Sequence, residues 1–410
     1  MPGQKEVTDM ANVNVKVKLI GAFDMLKFKN MGKNREKAIQ SAPAKDIVCD
    51  YKINNMAKTL HPDKVNLIVD EVIDLPDSRA KLFVFKNADG GPLPYFRAGQ
   101  YISLKLKIGD SFVTRPYSLC SAPKEALEGR YALTIQSNPA GFAADWILGN
   151  FRKGDAVEAS APQGNFFFDR YRDEKNVIAL AGGSGITPFL SMAQAIRDGA
   201  EDFNLTLIFG NRTEASIFFK KELDDIAAAC PKVKVVHVLS DEEKDGFEHG
   251  FITADLVKKY APENYSVFVC GPEAMYRFVK PEIEKLGLPK RLVRPEMMGV
   301  TKKVYDNPEF PKDAVGKTFE LTIKQGPAEY KIKADSAESI LVAVERAGIK
   351  APSRCRSGEC GWCRSRVISG NYFAPKENEG RRWADIEYGY IHPCSSFPVS
   401  DMVIEVPGEY

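Results

Sequence analysis

Residues 177–199 read VIALAGGSGITPFLSMAQAIRDG, which is an apolar run, a glycine-rich turn and a stretch with apolar residues at helical spacing. This order predicts a buried strand that turns directly into a helix. Glycines let a backbone approach a pyrophosphate closely, Thr187 can cap the helix and Pro188 fits its first turn, which leaves free amides facing an anion. The turn is not the G-x-G-x-x-G fingerprint, and such a turn can also be purely structural. The residues predicted to line it are Gly182, Gly183, Ser184, Gly185, Thr187 and Pro188.

The alternation of strands and helices continues beyond this turn. Apolar runs such as LTLIFGN at 205–211 and YSVFVCGP at 265–272 are each followed by a helical pattern. This order predicts a doubly wound parallel α/β domain over residues 173–300. Before the turn, residues 66–172 consist of short β-rich runs separated by turn residues, which predicts an antiparallel β-barrel interrupted by one helix over Gly141–Asn150.

The C-terminal part has a third pattern. Residues 301–315 are polar, contain two prolines and have no period, so they predict a linker. Residues 316–410 give two β runs, one helix, a cysteine-rich loop and a closing strand. Residues 1–65 match none of these patterns and form an N-terminal extension. The fold class is therefore multidomain, α/β plus β, with five consecutive parts.

Four of the eight cysteines lie in the C-terminal part, where CRSGECGWC is followed by a distant fourth cysteine. The spacing C-x4-C-x2-C…C is that of plant-type [2Fe-2S] sites, whereas a structural zinc site usually has two C-x2-C pairs. Gly358 and Gly361 would allow the loop to stay narrow. Zinc or buried free thiols remain alternatives. The predicted metal ligands are Cys355, Cys360, Cys363 and Cys394.

Composition excludes several classes of protein. The 410 residues carry 57 basic and 55 acidic side chains, a formal net charge of +2, so no global charge favours nucleic-acid binding. The longest uncharged stretch, Asn176–Ile196, holds three glycines and a proline, which argues against a membrane span. The N-terminus lacks a signal-peptide pattern, so we expect a cytoplasmic protein, with peripheral membrane contact left open. The basic N-terminal extension either docks an acidic partner or is a solvated decoration.

RPYS at 115–118 ends a predicted barrel strand. A flavin needs a cation for its phosphate, an aromatic face against its ring and a small hydroxyl near its reactive nitrogen. The tetrapeptide alone is weak evidence, since Arg and Tyr are common in strands. Followed by APQGNFFFD at 161–169 and then by the GGSGITP turn, it resembles the ferredoxin-NADP reductase-like family. That resemblance implies that Arg115, Pro116, Tyr117 and Ser118 bind the flavin.

The resemblance implies further site residues. The family's phosphate-binding turn aligns with Gly141, Phe142, Ala143 and Ala144. This segment has the glycine of the family's turn but lacks its usual hydroxyl-bearing residue. FAD is favoured over FMN as the flavin. The family places the turn of Cys270, Gly271 and Pro272 beside the nicotinamide; without the resemblance, Cys270 would be a buried small hydrophobe. Asn211 and Arg212 reach the expected adenosine-ribose pocket, and NADH is favoured over NADPH. The catalytic candidates are Ser118, Cys270 and Glu296, the last either assisting proton transfer or forming a surface salt bridge.

The last 95 residues resemble a plant-type ferredoxin, a β-grasp domain in which the four cysteines ligate the cluster. Four arginines, Arg354, Arg356, Arg364 and Arg366, stand beside them and either raise the cluster potential or form a solvated rim. His392 is expected at the surface or behind the ligands. Trp362 either docks a partner or covers the cluster.

The order of the three patterns implies an NAD(P)H-dependent oxidoreductase. Electrons would pass from NAD(P)H to flavin, to the [2Fe-2S] centre and on to a partner redox protein such as an oxygenase or demethylase. Alternatives are a reductive activator of a corrinoid protein, a reductase subunit of a complex that reduces a small organic substrate, and, in another class, an electron-carrier module whose flavin site has decayed.

Overall fold

The computed structural model describes residues 19–41, 51–76, 79–137, 141–296, 299 and 303–408. Helices α1 and α2 precede the first strand, and none of the nine residues of α2 is buried. The predicted extension is thus described only in part. No helix among these residues is long and apolar enough to cross a bilayer. The bounds are α1 Leu19–Ser41 and α2 Lys52–Leu60.

The first sheet is antiparallel and six-stranded, in the order β4-β3-β6-β1-β2-β5. An antiparallel bridge between Leu119 and Leu133 joins its two edges, as the predicted barrel requires. The inward residues form one apolar core, in which Leu67, Phe83 and Ile102 are fully buried. The bounds are β1 Lys64–Asp74, β2 Ala80–Asn87, β3 Tyr101–Ile108, β4 Ser111–Ser118, β5 Arg130–Gln136, α3 Phe142–Asn150 and β6 Ala156–Ser160.

The second sheet is parallel and six-stranded, in the order β10-β9-β8-β7-β11-β12. Alternate residues of its central strand β7 face opposite cores. Ala179 packs with α4 and α5, while Ile178 packs with α6 and α7, so the sheet is doubly wound as predicted. The bounds are β7 Asn176–Gly182, α4 Thr187–Arg197, β8 Asn204–Asn211, α5 Lys220–Ala229, β9 Val233–Leu239, β10 Glu248–His249, α6 Ala254–Tyr260, β11 Ser266–Cys270, α7 Glu273–Glu284 and β12 Val293–Glu296.

The C-terminal sheet is mixed and five-stranded, in the order β14-β13-β19-β15-β17, with β13 and β19 parallel. Helix α8 covers its core, which gives the predicted β-grasp arrangement. The bounds are β13 Thr318–Gln325, β14 Ala328–Asp335, α8 Ile340–Arg346, β15 Ser365–Ser369, β16 Tyr372–Phe373, α9 Trp383–Glu387, β17 Tyr390–Ile391, β18 Phe397–Pro398 and β19 Met402–Glu405.

The segment predicted as a linker packs onto this domain in its described part. Val304, Phe310 and Ala314 are buried in a cluster with Phe397. Three apolar side chains spaced irregularly can fill such a cluster, although they give no helical or strand period. Residues 56–410 form one compact unit.

Candidate functional site

The glycine turn after β7 lies against the turn after β11, because these strands are neighbours in the parallel sheet. A Cβ atom on Gly185 would stand 2.1 Å from the carbonyl oxygen of Cys270, and one on Gly271 would stand 2.4 Å from the Met275 sulfur. A Cβ atom on Gly182 would stand 2.6 Å from the same sulfur. Glycine is therefore required where the two backbones touch. The carboxyl ends of adjacent strands thus form a crevice walled by backbone.

The expected capping role of Thr187 is wrong. Residues Gly183–Ile186 form a 3-10 turn that runs into α4 without a break, so Thr187 is already helical. Its hydroxyl donates to the carbonyl oxygen of Ser184 at 3.0 Å, and no side chain caps the helix. Pro188 stands in the first turn as predicted. The first amides of α4 are therefore left without a side-chain acceptor.

Cys270 and Glu296 are paired in register at the ends of β11 and β12. Burial, and then the charge of Glu296, raises the pKa of the Cys270 thiol well above its usual range, so this side chain is an uncharged thiol. Burial, followed by the charges of Glu359 and Cys355, raises the pKa of the half-buried Glu296 to about 8. Glu296 therefore carries a proton at neutral pH and faces the cysteine loop as well as the crevice.

The far end of the crevice holds an ion pair that the sequence did not indicate. Arg212 follows β8, Asp241 follows β9, and the Arg212 Nε atom lies 2.7 Å from a carboxylate oxygen of Asp241. The Asp241 amide also donates to the Arg212 carbonyl at 2.9 Å. The exposed rings of Phe251, which follows β10, and Phe278 of α7 lie 5.2 Å apart. An acidic group and a neutralised cation thus meet after the ends of β8 and β9.

Strand β4 carries the RPYS residues to the edge of the barrel, where Ser118 is buried and opposes Tyr101 of β3. The Tyr117 side chain packs against the barrel core. Arg115 donates to the Thr114 carbonyl at 2.8 Å and lies 4.0 Å from the buried Glu345 carboxylate. Burial and then the charge of Arg356 lower the pKa of Arg115 to about 10, although Glu345 opposes this shift. Arg115 nevertheless remains cationic at neutral pH.

Helix α3 begins directly after Gly141, the position predicted to hold a phosphate. Gly141 is its N-cap and supplies no side-chain acceptor, so among the described residues no side chain at the cap position takes up the first amides of α3. Ala143 is buried in the barrel core, whereas Phe142 is exposed. A nine-residue helix whose uncapped amino end follows glycine offers backbone amides and dipole charge to a phosphate without a hydroxyl at Ala144.

The four cysteines of the C-terminal domain converge on one loop. The sulfur atoms of Cys363 and Cys394 are 3.4 Å apart, and the Cys360 amide donates to the Cys355 sulfur at 3.3 Å. Cys360 is exposed, and the other three are buried. Left-handed backbone occurs at Arg356, Gly358 and Gly361, which bends the loop inward. Four thiols with amides directed at sulfur fit the ligand set of a [2Fe-2S] cluster.

His392 lies behind this loop, and its predicted place at the surface is excluded. Only 2% of its surface is exposed, and its Nδ1 atom lies 2.5 Å from the Gly358 carbonyl oxygen. The His392 ring fills the space beside Gly361, since a Cβ atom added to Gly361 would stand 3.4 Å from the His392 Nε2 atom. Its role in the fold is to support the narrow part of the loop.

The arginines beside the ligands have different partners. Arg356 is bound to Glu345 at 2.5 Å, Arg364 lies 3.2 Å from Asp385, and Arg354 stacks on Trp362 with its guanidinium 3.4 Å from the ring centre. Arg366 is exposed and has no ion pair within the described part of the chain. Carboxylates therefore compensate two of the four charges.

The cysteine loop docks on the strands that carry the RPYS motif. The hydroxyls of Thr114 and Ser353 are hydrogen-bonded, and the Ser103 hydroxyl donates to the Arg354 carbonyl at 3.2 Å. Burial, and then the charges of Cys355 and Cys360, raises the pKa of Tyr101, the first residue of β3. One β-hairpin thus contacts both candidate cofactor sites.

Sequence reasoning missed Glu345, Tyr101 and Asp241. Glu345 is 3% exposed and lies close to arginines of two domains, Arg115 and Arg356. A buried carboxylate in a helix gives no signal in the sequence except its place on the apolar face of α8. The positions of Tyr101 and Asp241 depend on the register between strands that are far apart in the sequence.

Comparison with known families gives three matches in the order of the three sheets. An oxidoreductase FAD-binding domain matches residues 79–168, an oxidoreductase NAD-binding domain matches 179–281, and a 2Fe-2S iron-sulfur cluster binding domain matches 323–399. The chain is similar to the glycine betaine monooxygenase reductase subunit of Chromohalobacter salexigens, with 26% identity over 333 residues, 78% of this chain and 89% of that protein.

Two further proteins match different shares of the chain. NADH-cytochrome b5 reductase 1 of Candida glabrata is 34% identical over 216 residues, covering 51% of this chain and 74% of that protein. The solved structure of phthalate dioxygenase reductase, described as modular for electron transfer from pyridine nucleotides to [2Fe-2S], superposes with a TM-score of 0.60 at 25% identity. It covers 84% of this chain and 98% of that one.

The expected cofactors, FAD, NADH or NADPH and a [2Fe-2S] cluster, are therefore confirmed, and the decayed-flavin alternative loses its support. Electrons pass from NAD(P)H through the flavin to the iron-sulfur centre and on to a partner redox protein. The chain belongs to the ferredoxin-NADP reductase-like flavoprotein reductases that carry a C-terminal plant-type [2Fe-2S] domain, and it is an NAD(P)H-dependent oxidoreductase.

Proposed function

We propose that this chain is the reductase component of an oxygenase system and takes its electrons from NADH. The observation that carries the proposal is the β3–β4 hairpin, which bears the flavin motif at Arg115–Ser118 and contacts the cysteine loop through Ser103 and Thr114. Reductase components of monooxygenases are among the relatives, which supports an oxygenase as the acceptor. The proposed domains 173–300 and 316–410 each enclose one larger sheet, and 66–172 covers the first sheet except for the opening residues of β1, which starts at Lys64.

Residues of two elements hold the flavin in this proposal. Arg115 and the free amides after Gly141 bind its phosphates, Tyr117 and Pro116 line its ring, and the Ser118 hydroxyl lies near its reactive nitrogen. Amides at a helix start and a partly buried guanidinium are a strong anion site because both are poorly solvated. When bound, FAD accepts two electrons as a hydride, and the [2Fe-2S] cluster accepts one electron at a time.

The crevice between the glycine turns binds the nicotinamide nucleotide. The turn of residues 182–188 holds the pyrophosphate, and Cys270 with Gly271 and Pro272 contacts the nicotinamide. The neutral Cys270 thiol and the protonated Glu296 exclude water and supply a proton at this end. Both side chains are supported in these roles by their place at the carboxyl ends of β11 and β12.

The far end of the crevice favours NADH. Asp241 neutralises the Arg212 guanidinium and presents a carboxylate that suits a ribose diol and repels a 2′-phosphate. The rings of Phe251 and Phe278 can stack on the adenine, because both are exposed at the same edge of the sheet. Asn211 joins this pocket as the last residue of β8.

The cluster is held by Cys355, Cys360, Cys363 and Cys394. Three of these thiols are buried and Cys360 is exposed, so electrons can leave on the side of Cys360 without a change of fold. The paired arginines Arg356 and Arg364 bring little net charge to the loop, so the remaining cationic influence on the potential comes from Arg354 and Arg366.

An anaerobic visible spectrum of the purified holoenzyme during titration tests this proposal. NADH is expected to bleach the flavin and cluster bands together, at lower concentration than NADPH, and the extracted flavin is expected to be FAD. Cluster absorption that NADH leaves unchanged would overturn the electron route. A tagged chain cross-linked in its native host is then expected to capture an oxygenase component whose metal centre NADH reduces only when this chain is present.

A further inference from the structure

An exposed basic and aromatic patch lies on the ferredoxin domain beside the cysteine loop. We call it the α9 surface, and two of its side chains are unusually exposed for their size, Trp383 at 75% and Tyr388 at 70%. Arginine and tyrosine side chains of this region also line a surface cavity of about 480 Å³. The α9 surface consists of Arg364, Arg366, Arg382, Trp383, Ile386 and Tyr388.

The outward charge of this surface is positive. Asp385 is its buried carboxylate, 3.2 Å from Arg364 and 3.0 Å from Arg382, so it is covered by the arginines that it holds. The exposed carboxylate of α9 is Glu387. Three guanidinium groups of this surface therefore stand against two of its own carboxylates, of which one is turned away from water. The exposed Glu405 lies opposite Arg366 in the register of β15 and β19, but among the described residues no carboxylate forms an ion pair with the Arg366 guanidinium.

The α9 surface begins at the cluster ligands. Arg364 follows Cys363 directly, and its guanidinium lies 4.1 Å from the centre of the Tyr390 ring. The ligand Cys360 is also exposed on this loop, whereas the exposed Trp362 ring stacks on Arg354. The barrel contacts described above use other residues of this domain, namely Glu345, Ser353 and Arg354. A protein on the α9 surface would therefore approach the cluster without displacing the barrel.

We propose that the α9 surface docks the protein that accepts electrons from this chain, and that this partner presents an acidic face with an apolar centre. The inference rests on the proposed function. Exposed tryptophan and tyrosine beside arginine are the residues that carry most binding energy in interfaces, and a positive rim speeds encounter with an acidic protein. The covered side of the cluster receives electrons, and the α9 surface delivers them.

The test is stopped-flow reduction of a defined acidic acceptor by the NADH-reduced holoenzyme. The probe is the haem domain of cytochrome b5, and its control is the same protein with surface carboxylates amidated. Arg366→Glu is expected to slow haem reduction about tenfold at low salt, with the effect shrinking as salt rises. Trp383→Ala is expected to slow it about fivefold at any salt concentration. The amidated probe should be insensitive to Arg366→Glu.

A matched control is Lys333→Glu on β14, the strand at the opposite edge of the sheet from β17. At about 0.1 M salt this variant should stay within about twofold of the wild type, because four strand spacings, about 19 Å, separate β14 from β17, and the Debye length is then about 10 Å. Equal slowing by Lys333→Glu and Arg366→Glu would overturn the proposal, since it would reflect net charge alone. Unchanged rates in both Arg366→Glu and Trp383→Ala would also overturn it.

Two further readouts separate this proposal from the proposed function. Bleaching of the cluster by NADH within the holoenzyme is expected to be normal in every variant; if the wild type does not bleach, the proposed function fails and the docking role falls with it. Sedimentation tests whether a second copy of this chain occupies the α9 surface. A wild-type dimer that Trp383→Ala dissociates, with unchanged haem reduction, would assign the patch to self-association and overturn the proposal.

Discussion

The nucleotide crevice and the cysteine loop are built by different means. The crevice is shaped by two closely packed turns: a methyl group on Gly185 would meet the Cys270 carbonyl, and one on Gly182 or Gly271 would meet the Met275 sulfur. The loop is shaped by buried polar side chains, such as His392 on Gly358 and Glu345 on Arg356. The crevice is therefore sensitive to side-chain atoms added to its glycines, whereas the loop is sensitive to the loss of a hydrogen-bond or ion-pair partner. A substitution in one region should accordingly leave the function of the other intact.

Loss of one ligand is the largest expected effect and is confined to the loop. Cys360→Ser should abolish reduction of a one-electron protein acceptor and spare NADH reduction of ferricyanide, because the crevice and flavin site do not use this side chain. Cytochrome reduction and the visible spectrum measure both. Cys230→Ser, a thiol at the end of α5, is the control and should change neither. Loss of both activities in Cys360→Ser would contradict the separation of the two regions.

Gly185→Ala applies the same logic to the crevice. The added methyl would stand 2.1 Å from the Cys270 carbonyl oxygen, so the turns must separate, and NADH-dependent flavin reduction should fall by roughly 100-fold, as for other misplaced reactants. Stopped-flow flavin bleaching measures it, with cluster absorption as the check on folding. Gly149→Ala, in a helix with open space around it, should leave the rate unchanged. A normal rate in Gly185→Ala would show that the two turns can move apart freely.

Arg115 stands between the two regions, since it reaches both the flavin site and Glu345. Arg115→Ala should weaken flavin binding by roughly 10- to 100-fold, the value of a hydrogen bond to a charged group. Flavin-to-protein ratio after dialysis measures the loss. Arg130→Ala, an arginine paired with surface carboxylates on β5, should retain full flavin. Equal flavin-to-protein ratios in Arg115→Ala and Arg130→Ala would show that Arg115 does not bind the flavin phosphate.

Glu296 faces the crevice and the loop together, and its effect depends on pH. With a folded pKa of about 8, above the unfolded value near 4.5, the folded state holds an extra proton between these pH values, so stability falls as pH rises through that window. Glu296→Gln should therefore raise the thermal midpoint at pH 9 and leave it nearly unchanged at pH 5. The same gain at both pH values would mean that the carboxyl is ionised in the folded protein.

The smallest expected effect lies at the far end of the crevice. Asp241→Ala frees Arg212, which is exposed, so kcat/KM for NADPH relative to NADH should rise only about fivefold, since exposed ion pairs contribute little. Steady-state kinetics with both nucleotides measure the ratio. Asp255→Ala, an exposed carboxylate on α6, should not change it. An unchanged ratio of kcat/KM for NADPH to that for NADH in Asp241→Ala would show that the ribose 2′ position of the nucleotide does not lie beside Asp241.

Sequence and structure agree best where a pattern is local. The strand–turn–helix order and the cysteine spacing lie within short segments, so they predict the fold class and the cofactors, both confirmed. The residue assignments at the sites stay predictions, although the glycine turns do meet. The packing of residues 303–315 was not predicted, and the choice between the surface and the back of the ligands stayed open for His392, because irregular spacing and a single polar residue carry no burial signal. Asp241 and Glu345 depend on strand register and domain docking, which no local pattern encodes.

The burial of Val304, Phe310 and Ala314 has a kinetic consequence. Because these residues pack on the ferredoxin domain, the connection between that domain and the preceding sheet is shortened, which keeps flavin and cluster at high effective concentration and makes transfer between them first order. Diluting the protein should leave that step unchanged, while the step to the acceptor slows in proportion to acceptor concentration. The cell can therefore set the flow of electrons by the abundance of the acceptor alone.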